Sequence, residues 1–255
     1  MSDAAPPGAP EPEYTSDALL DGQVLLRQPR DGFRAAIDTV LLAAAVPAVE
    51  GDRVFELGTG CGAAALCLAR RVPGVHVTGI ELQPSLVRLA GENVRANGAQ
   101  GSVDIMLGDV AGPLPPRVQG LFDCAMFNPP YLEAARARLP AAAGRAVANV
   151  EAGGGLAAWV SCAHATLRPK GSLTLIHRAD RLDDVLTCLR ARFGGIAILP
   201  LWPRAGQPAR RVVVRARKGV ATPLTLTAGL VLHEADGRYT PEADAILRGA
   251  GVELR

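Results

Sequence analysis

The chain has 255 residues, 49% of them hydrophobic, with 27 lysines and arginines against 25 aspartates and glutamates, for a formal charge of +2. That length and apolar content suffice for one large buried core, and so small a net charge does not by itself identify a nucleic-acid binder. Five cysteines, an odd number with no Cys-x-x-Cys pair, exclude a disulfide framework and a structural zinc site, and the four histidines offer no metal-ligand spacing.

Residues 1–13, rich in Pro, Ala and acidic side chains, read as a disordered tail and lack the apolar stretch of a signal peptide. An entry segment covers 14–50; its longest apolar run, 40–49, is broken by Pro47 and is too short to span a bilayer. A soluble cytoplasmic protein is the expectation. Residues 53–57 read as a buried strand, Gly58-Thr59-Gly60-Cys61-Gly62 as a glycine loop and 63–71 as a helix. Strand, glycine turn and helix make a nucleotide-site pattern, because the glycines let backbone approach a ligand and leave N–H groups free at the helix start. Residues 75–80 form a second apolar strand ending at Glu81, and 103–107 a third closed by Gly108-Asp109.

The run 121–127 is a fourth strand, stopped by Asn128-Pro129-Pro130-Tyr131. Each proline fixes its own φ and removes a backbone donor, so the turn offers carbonyl oxygens and the Asn128 amide as a rigid acceptor cluster beside an aromatic ring. Such a cluster suits a planar group bearing an NH2, which donates to the acceptors while the ring of Tyr131 stacks on its flat face. Further on, 155–167 and 180–193 read as helices and 171–177 as a strand. Strands 196–202 and 211–217 are joined so tightly that they must run antiparallel. Residues 219–255 carry short signals of a small cap.

Ligands of open α/β sheets bind outside the carboxyl ends of the strands, so Glu56, Glu81, Asp109 and Asn128 are expected to converge on one crevice. Glu56-x-Gly58-x-Gly60-x-Gly62, Glu81, Asp109 and Asn128-Pro129-Pro130-Tyr131 together resemble the motifs of class I S-adenosylmethionine-dependent methyltransferases that act on amines. The resemblance implies a Rossmann-like, mostly parallel seven-stranded twisted sheet with an antiparallel strand near its C-terminal end, in a domain covering 51–218. It also implies that Gly58, Gly60 and Gly62 lie against the methionine part of S-adenosylmethionine and that Glu81 holds the ribose. By the same likeness Asp109 meets the adenine amine, Glu56 and Asn128 also belong to the cofactor site, and Asn128 with Pro129 orients the target nitrogen.

The segment 28–42 resembles the entry segment of the tRNA adenine N6-methyltransferases that act beside the anticodon of a valine tRNA, which makes Asp38 a cofactor-pocket residue; it also suits a helix N-cap before Thr39. The expected activity is therefore methylation of adenine N6 in tRNA. Glutamine methylation in a release factor, which uses a similar turn, an rRNA base as target, and a non-catalytic cofactor-binding subunit are the alternatives. Two basic groups suit a polyanionic substrate: Arg136, Arg138 and Arg145 after Tyr131, and Arg211, Arg215 and Arg217, which share one face of their strand. No acidic residue occurs between Pro203 and Lys218, a span that also holds Arg204 and Arg210. No metal or membrane is expected as a partner.

Overall fold

The computed structural model describes residues 14–30, 34–130 and 155–254. The central apolar runs become strands because they are buried on both faces by helices, the condition under which parallel strands are largely hydrophobic rather than alternating. In chain order the sheet receives β3 (Arg53–Leu57), β4 (His76–Glu81), β5 (Val103–Leu107), β6 (Phe122–Phe127), β7 (Leu167–Arg178), β8 (Phe193–Trp202) and β9 (Arg211–Lys218). Across the sheet their order is β8-β9-β7-β6-β3-β4-β5; β9 runs antiparallel to both its neighbours and the other pairings are parallel. Those seven strands are the expected sheet. Two short strands, β10 (Thr225–Leu226) and β11 (Leu230–Val231), lie parallel on the outer edge of β8 and bring the total to nine.

Helices cover both faces. On one side α1 (Ile37–Ala45), α2 (Ala63–Arg71) and α3 (Pro84–Ala96) accompany a core that includes Leu41, Val54, Leu68, Val77 and Met126. On the other, α4 (Gly155–Thr166) and α5 (Leu182–Leu189) enclose Phe55, Phe122, Phe127, Trp159, Val160 and Leu173. The C-terminal segment is joined to the first of these cores rather than perched on it. Ile246 of α6 (Pro241–Leu247) and Leu254 are buried there, and Val252 N–H donates to the Ala44 carbonyl of α1 at 3.0 Å.

An antiparallel hairpin, β1 (Tyr14–Leu19) with β2 (Val24–Pro29), stands apart from the main sheet. Its free edge is closed by two asparagines of α3 that act as a neighbouring strand. Asn93 accepts from Arg27 N–H and donates to the Arg27 carbonyl, and Asn97 does the same for Leu25, all at 2.7–2.9 Å. Residues 93 and 97 are neighbours on a helix face, and 25 and 27 point the same way from a strand, so the two spacings match. Asn93, almost wholly buried, also donates to the Cys61 carbonyl at 2.9 Å and so ties the hairpin to the glycine loop. Among the described residues no helix is long and apolar enough to cross a membrane.

Candidate active site

The predicted residues Glu56, Gly58, Gly60, Glu81 and Asn128 lie at or just beyond the carboxyl ends of β3, β4 and β6. The glycine loop links β3 to α2, and Thr59 N–H donates to the Ile80 carbonyl at 3.0 Å, which holds the loop against the end of β4. Gly58 and Gly60 both adopt left-handed backbone, with φ of +63° and +58°, but for different reasons. A Cβ on Gly58 would lie 2.5 Å from Cη2 of Trp159, so the glycine is required by packing from α4; a Cβ on Gly60 meets nothing within 4 Å. Gly60 therefore presents bare backbone to an open space, as a ligand-cradling position requires. Gly62 begins α2 and lies against Ala90 of α3. Gly58→Ala is expected to destabilise the fold by about 2–4 kcal/mol, combining left-handed strain and overpacking; a denaturation midpoint within error of the parent would contradict the close packing.

Glu81 is almost fully buried, and its two carboxylate oxygens accept from Gly60 N–H at 3.0 Å and Gln83 N–H at 2.9 Å. Each oxygen keeps a further lone pair for a ligand hydroxyl. The next residue, Leu82, is 51% exposed, and a bare apolar side chain beside a carboxylate gives a flat ring a surface to rest on; the sequence alone drew no attention to it. Asp109, exposed at the end of β5, accepts from Ala111 N–H at 2.8 Å.

Glu56 lies beneath this surface. Its carboxyl is buried, accepts from the Thr59 hydroxyl at 2.5 Å, and is pushed up to about 8 by burial, with Glu81 adding to the rise and Thr59 and the Ala65 N–H opposing it. A carboxyl whose folded value lies above its ordinary 4.5 holds its proton in the folded state. Its contribution to stability is thus complete below about pH 4.5 and lost as pH rises towards about 8. Chemical denaturation of the protein and of Glu56→Gln at pH 5.5 and 8.5 is expected to show a loss in the parent that the variant largely lacks. Parallel behaviour would mean that Glu56 ionises normally.

Asn128 follows the last paired residue of β6, Phe127, which lies opposite Leu57 of β3 and Leu175 of β7. The pairing of Phe127 with Leu57, the residues just before Asn128 and Gly58, means that the turn and the glycine loop leave neighbouring strands at the same level. Asn128 is half-buried, Pro129 buried and Pro130 exposed. Tyr131, Arg136, Arg138 and Arg145 lie outside the described residues.

Asp38 is not a helix cap: Ala36 caps α1, and Asp38 in the first turn accepts from Arg211 Nε at 2.9 Å. Arg211 therefore sits at the carboxyl edge, engaged by a carboxylate. The other two members of the predicted basic stripe do not accompany it. β9 is an interior strand rather than an outer one, and its antiparallel course carries Arg215 and Arg217 towards the opposite edge. There Arg215 donates to the Leu254 carbonyl at 2.9 Å and Arg217 to the Lys170 carbonyl at 3.4 Å. The three do share a face, but that face runs away from the crevice instead of bordering it.

The five cysteines are free thiols. Burial pushes Cys61 up to about 11 and Cys67, Cys124 and Cys162 up to about 12, which leaves them protonated and poor nucleophiles. Among the described residues no group of His, Cys, Asp and Glu has the arrangement of a metal site.

Residues 34–199 match the model of the family described as Methyltransferase small domain. A tRNA1(Val) (adenine(37)-N6)-methyltransferase of Aeromonas hydrophila is 28% identical over 215 residues, which covers 83% of this chain and 87% of that one. Among solved structures, a predicted O-methyltransferase of Agrobacterium tumefaciens superimposes with a TM-score of 0.72 at 27% identity, covering 86% of this chain and 99% of that chain. A 16S rRNA guanine-N2 methyltransferase of T. thermophilus, in complex with S-adenosylmethionine and guanosine, gives 0.57 at 23% identity over 83% of this chain and 52% of its own; it shares the fold.

Proposed function

We propose that this chain, which belongs to the methyltransferase small domain family, methylates the exocyclic amine of an adenine in tRNA. The methyl donor is S-adenosylmethionine, and the residues present suit it. Gly60 offers open backbone, Glu81 keeps lone pairs for the two ribose hydroxyls, and Leu82 gives the adenine ring an apolar bed with Asp109 to receive its amine. Asp38, held by Arg211, completes the rim on the α1 side. Bound there, the cofactor supplies an electrophilic methyl group on a positively charged sulfur.

The observation that supports the reading is the Asn128-Pro129-Pro130 turn, which leaves β6 at the level where the glycine loop leaves the paired strand β3. An exocyclic amine is a poor nucleophile because its lone pair is delocalised into the ring. Two acceptors, the Asn128 amide oxygen and the Pro129 carbonyl, engage both of its protons and favour a pyramidal nitrogen, whose lone pair is then localised for attack on the methyl group. A hydroxyl has only one proton and leaves one acceptor unmet, so the turn favours nitrogen over oxygen as the target. No strong base is then needed, since a nitrogen that becomes cationic loses its proton readily. Positioning of this kind supplies several kcal/mol of barrier lowering. The base has to leave its stack to reach the turn, and Tyr131 is the residue that replaces the lost stacking.

The A. hydrophila relative, aligned over most of both chains, bears the name of a tRNA adenine N6 enzyme, and this supports adenine over other amines. The test is incubation of the protein with labelled S-adenosylmethionine and separate tRNA, rRNA and release-factor fractions, followed by nucleoside analysis. N6-methyladenosine in tRNA is the expected product. Label in rRNA alone, or in protein as N5-methylglutamine, would replace this reading by one of its alternatives.

A further inference from the structure

A second cluster on the carboxyl edge of the sheet has no part in the site described above. β11 runs parallel to the end of β8, with Leu230 opposite Leu201 and Val231 opposite Trp202, so the chain leaving it emerges on the same edge as Asn128. It folds at once into a small hairpin. His233 N–H donates to the Pro203 carbonyl at 3.1 Å, Glu234 N–H to the Arg238 carbonyl at 2.8 Å, and Thr240 N–H to the Leu232 carbonyl at 3.0 Å. Across this hairpin the rings of His233 and Tyr239 stack, with centroids 4.7 Å apart and planes 26° from parallel. The hairpin base is fixed a second time by the Thr240 hydroxyl, which donates to the Val231 carbonyl at 2.7 Å and caps α6 by accepting from Ala243 N–H.

A stacked pair of rings would be unremarkable in a core, yet Tyr239 is 41% exposed. Arg204 reaches over the tip, with Nη2 3.9 Å from where a Cβ on Gly237 would stand, and Arg210 is exposed at the start of β9. Nearby carboxylates are already matched: Asp38 with Arg211, Asp180 with Arg178, and Asp236 with Arg238. Among the described residues neither Arg204 nor Arg210 pairs with a carboxylate. The turn also carries Glu234, so charge alone does not define the surface; a preformed aromatic platform with the uncommitted Arg204 guanidinium at its tip and exposed Arg210 on the same sheet edge does. Stacking plus phosphate contact is the chemistry by which proteins hold an unpaired nucleic-acid strand.

We propose that this surface binds the same RNA as the crevice, with an unpaired base near the target adenine stacking on the His233–Tyr239 pair and phosphates between the two sites meeting Arg204 and Arg210. The inference rests on the RNA reading given above. Four strand spacings, from β6 through β7, β9 and β8 to β11, separate Asn128 from the platform, roughly 19 Å at about 4.8 Å per strand. A few nucleotides of an extended loop cover that distance.

The experiment compares tRNA methylation kinetics and salt-dependent tRNA binding for the full chain, Tyr239→Leu, Tyr239→Phe and the double variant Arg204→Gln/Arg210→Gln. Tyr239→Leu keeps apolar cover for His233 but no ring, and is expected to raise the KM for tRNA about tenfold with the cofactor Kd unchanged. Tyr239→Phe, which keeps the ring, is expected to restore most of it. The double variant should lower the log–log salt slope by about 1.4 to 1.8, two phosphate contacts at 0.7 to 0.9 each. It changes only exposed side chains, so it decides the matter if Tyr239→Leu fails to fold. If the parent methylates tRNA but KM and slope are the same in all variants, this inference is wrong while the RNA reading stands. If the parent neither binds nor methylates RNA, both fall.

Discussion

Asn128→Ala is expected to lower the single-turnover rate of methyl transfer about 100-fold or more while leaving the dissociation constant for S-adenosylmethionine within about threefold. The separation of the two effects follows from where Asn128 stands. The register of β6 against β3 and β7 sets its position, and buried Pro129 follows it. The groups suited to the cofactor belong to β3, β4 and β5, and removing the Asn128 amide leaves the Gly60–Glu81 hydrogen bond in place. What is lost is one of two acceptors that orient the target amine. Rapid-quench kinetics with saturating cofactor, beside a calorimetric titration, measures both quantities. A rate within a few-fold of the parent would show that the turn does not orient the amine.

The strands that build this site could be read from the sequence because parallel strands covered by helices are mostly apolar, and even β5, partly buried at the sheet edge, has four apolar residues in five. The runs at 53–57, 103–107 and 121–127 coincide with β3, β5 and β6 to within a residue. The strand-end positions of Glu56, Glu81 and Asp109 were equally legible, since they follow from where the strands stop. What stayed hidden depended on partners far away in the chain. The β1–β2 hairpin is held by Asn93 and Asn97 some 70 residues later, and nothing local marks an asparagine as a substitute strand. Asp38 looked like a cap because its partner Arg211 is 173 residues away. The alternation of Arg211, Arg215 and Arg217 correctly gave a shared face, but a face has two ends. Only the antiparallel course of β9 shows that Arg211 is near the crevice and Arg217 far from it. Strands of two residues, such as β10 and β11, are too short to carry any pattern, and so the surface beyond β8 could not be foreseen.

Glu81→Ala is expected to weaken S-adenosylmethionine binding about 10- to 100-fold, because each hydrogen bond from a ligand hydroxyl to a carboxylate contributes roughly 1.5 to 3 kcal/mol. Two effects act together. The substitution removes the acceptors proposed for the ribose, and it also frees the Gly60 and Gln83 N–H groups that the carboxylate holds at 3.0 and 2.9 Å. Gly60 then loses the contact that fixes the loop where it faces open space. Glu81→Gln separates the two contributions. Its amide oxygen can still accept from one of the two backbone groups, whereas its NH2 cannot accept from the other or from a hydroxyl. The glutamine variant should therefore fall between the parent and the alanine variant in cofactor affinity, with a melting temperature closer to the parent. Calorimetric titration and thermal melting of the three proteins provide the comparison. A dissociation constant unchanged in Glu81→Ala would remove Glu81 from the cofactor site, and equal weakening in both variants would assign its role to the charge on the carboxylate rather than to the loop it holds.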